Sequence, residues 1–311
     1  MVVEVYSGLT SRLRTISHAI WLMENSDDKR KELVIVWPIT KDCHISAKKV
    51  FSINKSLSTK IRIINYKIKP LYKLVDVRKE PIKSIVHMVY NLFTDVYSYL
   101  FGAAKVERLK QTRDSYDYEP PTKIGWEGKE YYNYILSVWY RLRDRLRAST
   151  NVYIHAYCGI VLDSNIEITI LYGIDFLRKY YVYVNEILAN YKREHLVGVH
   201  IRRTDHKKCI ENSPLQLFIE KMDKLVEKDK QVCFLLATDD KNTQEQLIQK
   251  YGEQIIVQNK VWGRDSQKAM VGGIIDCLCL SKCKMILGSY SSVSSNFAAK
   301  CGGIEMIPMI K

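Results

Sequence analysis

Residues 200–205 read His-Ile-Arg-Arg-Thr-Asp. Arg202 and Arg203 are two always-charged planar forks, and each can give two parallel hydrogen bonds to one phosphate. The pair suits a phosphate or pyrophosphate. On a surface loop an Arg-Arg pair is ordinary, so its meaning depends on what else reaches the same place. Two more polar runs follow apolar segments in the same manner, Thr238-Asp239-Asp240 and Gly288-Ser289-Tyr290-Ser291-Ser292. The carboxylates of the first suit a ribose or a base. The hydroxyls and helix-start amides of the second suit a phosphate or a base. Asp239 and Asp240 equally read as a helix cap. Asp276 stands between Ile275 and Cys277 in an apolar helix, where a carboxylate needs a partner. His200 reads equally as a hydrogen-bonded structural histidine.

The elements that must position these residues form a regular series. Short apolar runs at 196–201, 232–237, 255–258 and 285–287 predict strands. Helical spacing at 214–227, 241–251, 267–281 and 293–300 predicts a helix after each. Four β-α units make a Rossmann-like domain, whose ligand crevice lies at the loops leaving the carboxyl ends of the strands. The three polar runs are those loops, and together they suit a nucleotide sugar.

The first half is less regular. A strand at 2–6 turns at Gly8 into a helix reaching residue 25, with Arg12 and Arg14 in its first turn. Free amides there make an anion site, and cations so placed oppose the helix dipole, which suggests a task for them. Strands follow at 33–37, 60–66 and 151–156, with helices at 81–101, 131–146 and 174–192 and a loop at 106–128. The helix at 131–146 carries Arg141, Arg143, Arg145 and Arg147. The expected domains are 1–192 and 193–311.

The chain has 311 residues, a net charge of +14 and 47% hydrophobic residues, with a pI near 9.2. This is a globular composition with room for two domains. The positive balance fits nucleic acid, an anionic membrane surface or a phosphorylated substrate. Dispersed aromatics and the lack of any nucleic-acid signature argue against the first. None of the eight cysteines forms a C-x-x-C pair, so a zinc knuckle is not expected, and several lie in apolar segments as reduced cysteines do. No basic-then-apolar start marks a signal peptide. Residues 85–104 are apolar but broken by His87, Asn91, Thr94 and Asp95, which suits a buried or interfacial helix better than a membrane span. The expectation is a cytoplasmic protein with peripheral membrane contact.

As a set, the motifs resemble those of the fucosyltransferase superfamily of GT-B glycosyltransferases, in pattern closest to its α-1,6 branch. The hallmark is His200-Ile201-Arg202-Arg203-Thr204-Asp205. It is joined by Pro214 opening a helix, Ala237 to Asp240, Asp276 before Leu280-Ser281, and Ser289 to Ser292. Residues 8–14 resemble the family's first Gly-rich loop. The match spans residues 196–303, with a weaker one over 1–40 and none over 41–190.

The resemblance implies an α/β fold of GT-B type, two Rossmann-like domains facing a cleft, with the acceptor side in the first. It implies an inverting transfer of fucose from GDP-fucose to a glycan or lipid-linked oligosaccharide, without metal or cofactor. Arg203 first and Arg202 second would bind the GDP pyrophosphate and assist its departure. His200, Asp239, Asp240 and Asp276 would lie by the nucleotide, Ser289, Ser291 and Ser292 by its phosphates, and Gly8 and Arg12 in the first loop. The branch has a glutamate a few residues past the arginines. Here Cys209 takes that place and Glu211 follows two residues on, leaving the base open among Glu211, Asp205 and His206. Val293 stands where the branch has a polar residue. A transferase for another nucleotide sugar, a non-catalytic nucleotide-binding protein and a basic nucleic-acid-binding protein are the competing readings.

Overall fold

The computed structural model describes residues 1–25, 32–66, 107–111, 133, 137, 140, 143–144, 152–156, 160, 166, 168–204, 207–290 and 292–311. The helix expected at 81–101, the apolar stretch at 85–104, most of the 131–146 helix, and Asp205, His206 and Ser291 lie outside them. Two compact units result, Met1–Asp175 and Phe176–Lys311. This division falls ahead of the expected boundary at 192, so the helix Arg178–Leu188 goes with the second unit.

In the first unit β1 (Val2–Val5) leads into α1 (Leu9–Asn25), then β2 (Glu32–Pro38), β3 (Phe51–Ile53), β4 (Lys60–Tyr66), β5 (Glu107–Gln111), β6 (Val152–Ala156) and β7 (Ile174–Phe176). Its main sheet runs β4-β2-β1-β6-β5, every pair parallel. Near-continuous apolar runs such as Leu33 to Trp37 are what a parallel sheet covered on both faces requires. Two expectations are corrected. Residues 107–111 form the edge strand β5 rather than part of a loop. Their sequence, Glu-Arg-Leu-Lys-Gln, has no strand signature, and pairing with β6 overrides it. Residues 174–176 form a strand rather than a helix start: Ile174 and Phe176 are buried with Asp175 exposed between them, a period of two.

In the second unit α2 (Arg178–Leu188) precedes β8 (Leu196–Ile201), α3 (Lys207–Asn212), α4 (Leu215–Lys228), β9 (Cys233–Thr238), α5 (Lys241–Tyr251), β10 (Ile255–Ile256), α6 (Gln267–Ser281), β11 (Met285–Ser289), α7 (Val293–Gly302) and β12 (Glu305–Met309). The sheet runs β10-β9-β8-β11-β12, all parallel. On one face Val197, Val199 and Ile201 pack with Phe218 and Met222 of α4 and Leu247 of α5. On the other, α6 lies so close to β8 that a Cβ on Gly198 would meet Leu280 Cδ2 at 2.8 Å. The edge strand β12 is unforeseen in sequence, because Pro308 cannot donate to a ladder and is tolerated only at an edge.

The chain winds outward from β8 through β9 to β10, then returns to β11 on the other side of β8. The switch point of the sheet therefore lies between β8 and β11, where the loops leaving them diverge at the carboxyl edge.

Candidate functional site at the carboxyl edge of the second sheet

β8 ends at Ile201, and its ladder partner Thr238 ends β9, so Arg202-Arg203 and Asp239-Asp240 emerge side by side. Asp239 organises the arginine loop. Its Oδ1 accepts from Arg203 N at 2.7 Å, and its Oδ2 accepts from Thr204 Oγ1 at 2.9 Å and pairs with Arg202 Nη1 at 2.8 Å. Arg203 Nη1 donates to Arg202 O at 3.2 Å, while its buried Nη2 has no partner among the described residues. Burial pulls the Arg203 pKa down, opposed by the charges of Asp239 and Asp240. A desolvated guanidinium with an unused donor is poised for an anion.

Asp240 does what a helix cap does. It begins α5 and accepts from Thr243 N at 2.8 Å and Thr243 Oγ1 at 2.6 Å, bonds that hold its carboxyl below the usual range. Both bonds fall on Oδ2.

From the other side of β8, Ser289 Oγ accepts from Arg202 N at 3.0 Å and donates to His200 O at 3.3 Å. Ser292 caps α7. His200 Nδ1 lies 2.9 Å from Ser295 Oγ and 3.2 Å from Ser292 Oγ. Burial drives the His200 pKa down to about 4, reinforced by Arg202 and Lys260 and opposed by Asp239. The imidazole is thus neutral near pH 7, a linker between the arginine strand and the serine helix. Above pH 6.5 His200 is neutral in both folded and unfolded chains and adds no pH dependence. As pH falls from 6.5 towards 4 the unfolded chain takes up a proton that the folded chain refuses, so stability falls. The expected slope is about 1.4 kcal/mol per pH unit, reaching roughly 3 kcal/mol in all. Chemical denaturation between pH 7 and pH 4 should show this slope and show it lost in His200→Gln; equal slopes for both proteins would refute it.

Asp276 has the partners it requires. Gln258 Nε2 donates to its Oδ1 and Lys260 Nζ reaches its Oδ2 at 2.5 Å. Lys260 also donates to Thr238 O at 2.9 Å, just before Asp239. Lys260, Gln258, Ser295 and Thr204 are absent from the expected site. Two signals pointed to them: Lys260 follows β10 at the same sheet edge, and Ser295 stands three residues past a serine cap, where a capping partner sits. Glu211 is exposed on α3, and Val293 is 43% exposed in the first turn of α7. Among the described residues no group of three or more His, Cys, Asp or Glu could hold a metal ion.

Gly8 and Arg12 belong to the first unit, and there the structure corrects the turn assigned to Gly8 and shows what engages Arg12. The left-handed residue of the turn is Ser7, at φ 71°, not Gly8, where a Cβ would meet nothing within 4 Å. Arg12 is fully buried. Its Nε donates to Ser7 O at 2.8 Å, Nη1 to Pro38 O, and Nη2 to Thr40 Oγ1 at 2.8 Å. The Trp37 ring lies 5.1 Å away. These contacts explain why a cation is placed against the helix dipole: it ties the start of α1 to the end of β2.

No family model matches the sequence, and no curated protein matches it. Solved structures are. NodZ α-1,6-fucosyltransferase soaked with GDP-fucose has a TM-score of 0.52 at 13% identity, over 96% of this chain and 91% of that one. Fucosyltransferase NodZ from Bradyrhizobium gives 0.51 at 14%, over 96% and 91%. A variant of Arabidopsis thaliana FUT1 in complex with GDP gives 0.52 at 12%, over 99% and 69%. POFUT1 in complex with GDP gives 0.53 at 10%, over 99% and 97%. At these identities the likeness is one of fold. Among the described residues no helix is long and apolar enough to cross a membrane.

Proposed function

We propose that this chain, which has the fold of the fucosyltransferases, is an inverting, metal-independent glycosyltransferase that moves fucose from GDP-fucose to a glycan or lipid-linked oligosaccharide. The observation that carries the reading is the half-buried Arg203, whose Nη2 has no partner among the described residues, beside Arg202 at the switch point of a parallel sheet. The GDP and GDP-fucose named with the similar structures support the choice of nucleotide.

In this reading the acceptor oxygen attacks the anomeric carbon from the face opposite the leaving group. The bond to the β-phosphate oxygen breaks and GDP departs with the electron pair. Arg203 and Arg202 neutralise the charge that develops on it. The acceptor proton passes to a base drawn from Glu211, Asp205 and His206. The start of α7 completes the phosphate side, and the buried Ser289 and Ser292 hydroxyls hold the loop before it. Asp239 contributes by aiming the arginines.

One observation favours a neighbouring reading, a different nucleotide sugar. Asp276, a carboxylate expected by the nucleotide, is already engaged by Gln258 and Lys260. Titrating GDP, UDP, ADP and duplex DNA, and following nucleotide release from GDP-fucose with candidate acceptors, separates the readings. GDP is expected to bind tightest. Preference for UDP would move the reading to another donor, and no nucleotide binding would end it.

A further inference from the structure

Tyr290 stands between Ser289, the last residue of β11, and the Ser292 cap of α7, so its backbone sets the course of the serine loop. Both polar groups of that backbone are held by side chains from the segment following the arginine loop. Cys209 Sγ on α3 donates to Tyr290 O at 2.8 Å. Ser213 Oγ, just beyond α3, accepts from Tyr290 N at 2.7 Å. Neither side chain is open to solvent: Cys209 is 1% and Ser213 0% exposed. Ser213 sends its own proton to Met309 O at the end of β12, and Lys311 N donates to Asn212 O at 3.0 Å. The far end of α3 is therefore anchored to the last strand, while Cys209 lies within electrostatic range of Arg203.

We propose that Cys209 and Ser213 are positioning residues for the nucleoside diphosphate: gripping Tyr290 by its carbonyl and its amide, they hold the serine loop at a fixed offset from Arg202-Arg203, so that both loops meet one ligand. The proposal rests on the reading that the arginine pair binds a diphosphate. Hydrogen bonds from two side chains to a single residue's backbone fix its orientation, which one bond would leave free to pivot. Errors near 1 Å in such placement weaken a site far more than they weaken a fold.

The test is the affinity for GDP and the separate KM values for GDP-fucose and acceptor, in wild type, Cys209→Ala, Ser213→Ala, the double variant and Cys209→Ser. Each alanine variant should raise the GDP Kd and the donor KM about tenfold, the size of one hydrogen bond lost in a buried setting, and leave the acceptor KM alone. The double variant should also sit near tenfold, not a hundredfold, because either loss frees the same loop. Cys209→Ser, which keeps a donor, should return most of the affinity. If Cys209→Ala does not fold, Cys209→Val fills its volume without the donor and is read in its place. Wild-type affinity and donor KM in the alanine variants would overturn the proposal, whatever their melting temperatures. So would multiplicative losses affecting donor and acceptor alike, the mark of general loosening. Wild-type protein that fails to bind GDP overturns the functional reading itself, a separate outcome.

Discussion

Arg203→Ala should abolish most turnover with GDP-fucose, lowering kcat by a factor of about 10² to 10³, or roughly 3–4 kcal/mol of transition-state stabilisation. The direction follows from what Arg203 does in the absence of ligand. Its backbone amide is held by Asp239 and its Nη1 by the Arg202 carbonyl, so the side chain is aimed. Its Nη2 is buried with nothing to bond, and burial already disfavours its charge. A diphosphate would supply the missing partner and repair the electrostatics together. Arg202 is different: its Nη1 is already paired with Asp239 at 2.8 Å, so Arg202→Ala should cost less. Arg203→Lys keeps the charge but not the fork and should recover only part of the loss. A second readout has the opposite sign. Because burial disfavours the Arg203 charge and its Nη2 goes unused in the ligand-free fold, Arg203→Met should melt no lower than wild type, and higher if packing is kept. Saturating GDP should then raise the melting temperature of wild type far more than that of the variant. Equal stabilisation of both by GDP would remove Arg203 from the site.

What the sequence made legible divides along physical lines. In the second unit, strands and helices alternate at short intervals, and the periodicities of Val197 to Ile201 and of α4 name their elements without help. The loops after β8, β9 and β11 then follow from topology. The pattern failed where tertiary pairing outweighed local preference: β5, a polar edge strand, and β12, an edge strand holding Pro308. Within the site, residue types predicted which loops converge but not which side chains would be taken up internally. Asp240 reads as a cap or a ligand group from sequence alike, and its two bonds to Thr243 show the cap. Arg12 reads as an anion ligand until Ser7, Pro38 and Thr40 are seen to use its donors. Lys260 had only its place after β10 to mark it, since a single lysine in a short loop has no pattern. The need for it was nonetheless legible, because Asp276 in an apolar helix called for a partner.

Lys260→Ala should be the most destabilising substitution among these residues, costing about 3 kcal/mol and lowering the melting temperature by roughly 10 °C. Lys260 and Asp276 are only 11% and 17% exposed, so the attraction between them is weakly screened. Among the described residues, removing the lysine leaves Asp276 with Gln258 alone, strips Thr238 O of a donor, and empties the space that Lys260 Cγ and Cδ fill against Gly272, 3.9 and 3.7 Å from the position of a Cβ there. Truncating one member of such a pair costs more than the pair is worth, because the other charge stays buried. Lys260→Met with Asp276→Asn, which removes both charges and keeps the volume, should therefore recover most of the stability. Activity should not recover with it. Lys260 bridges Asp276 to Thr238 O, the residue before Asp239, and Asp239 is what aims Arg202 and Arg203. A double variant that melts near wild type but still binds GDP several-fold more weakly would identify Lys260 as the anchor of the arginine loop. A double variant that regains both would make the pair a matter of stability alone, and one that regains neither would mean that the burial of this ion pair is not what its removal disturbs.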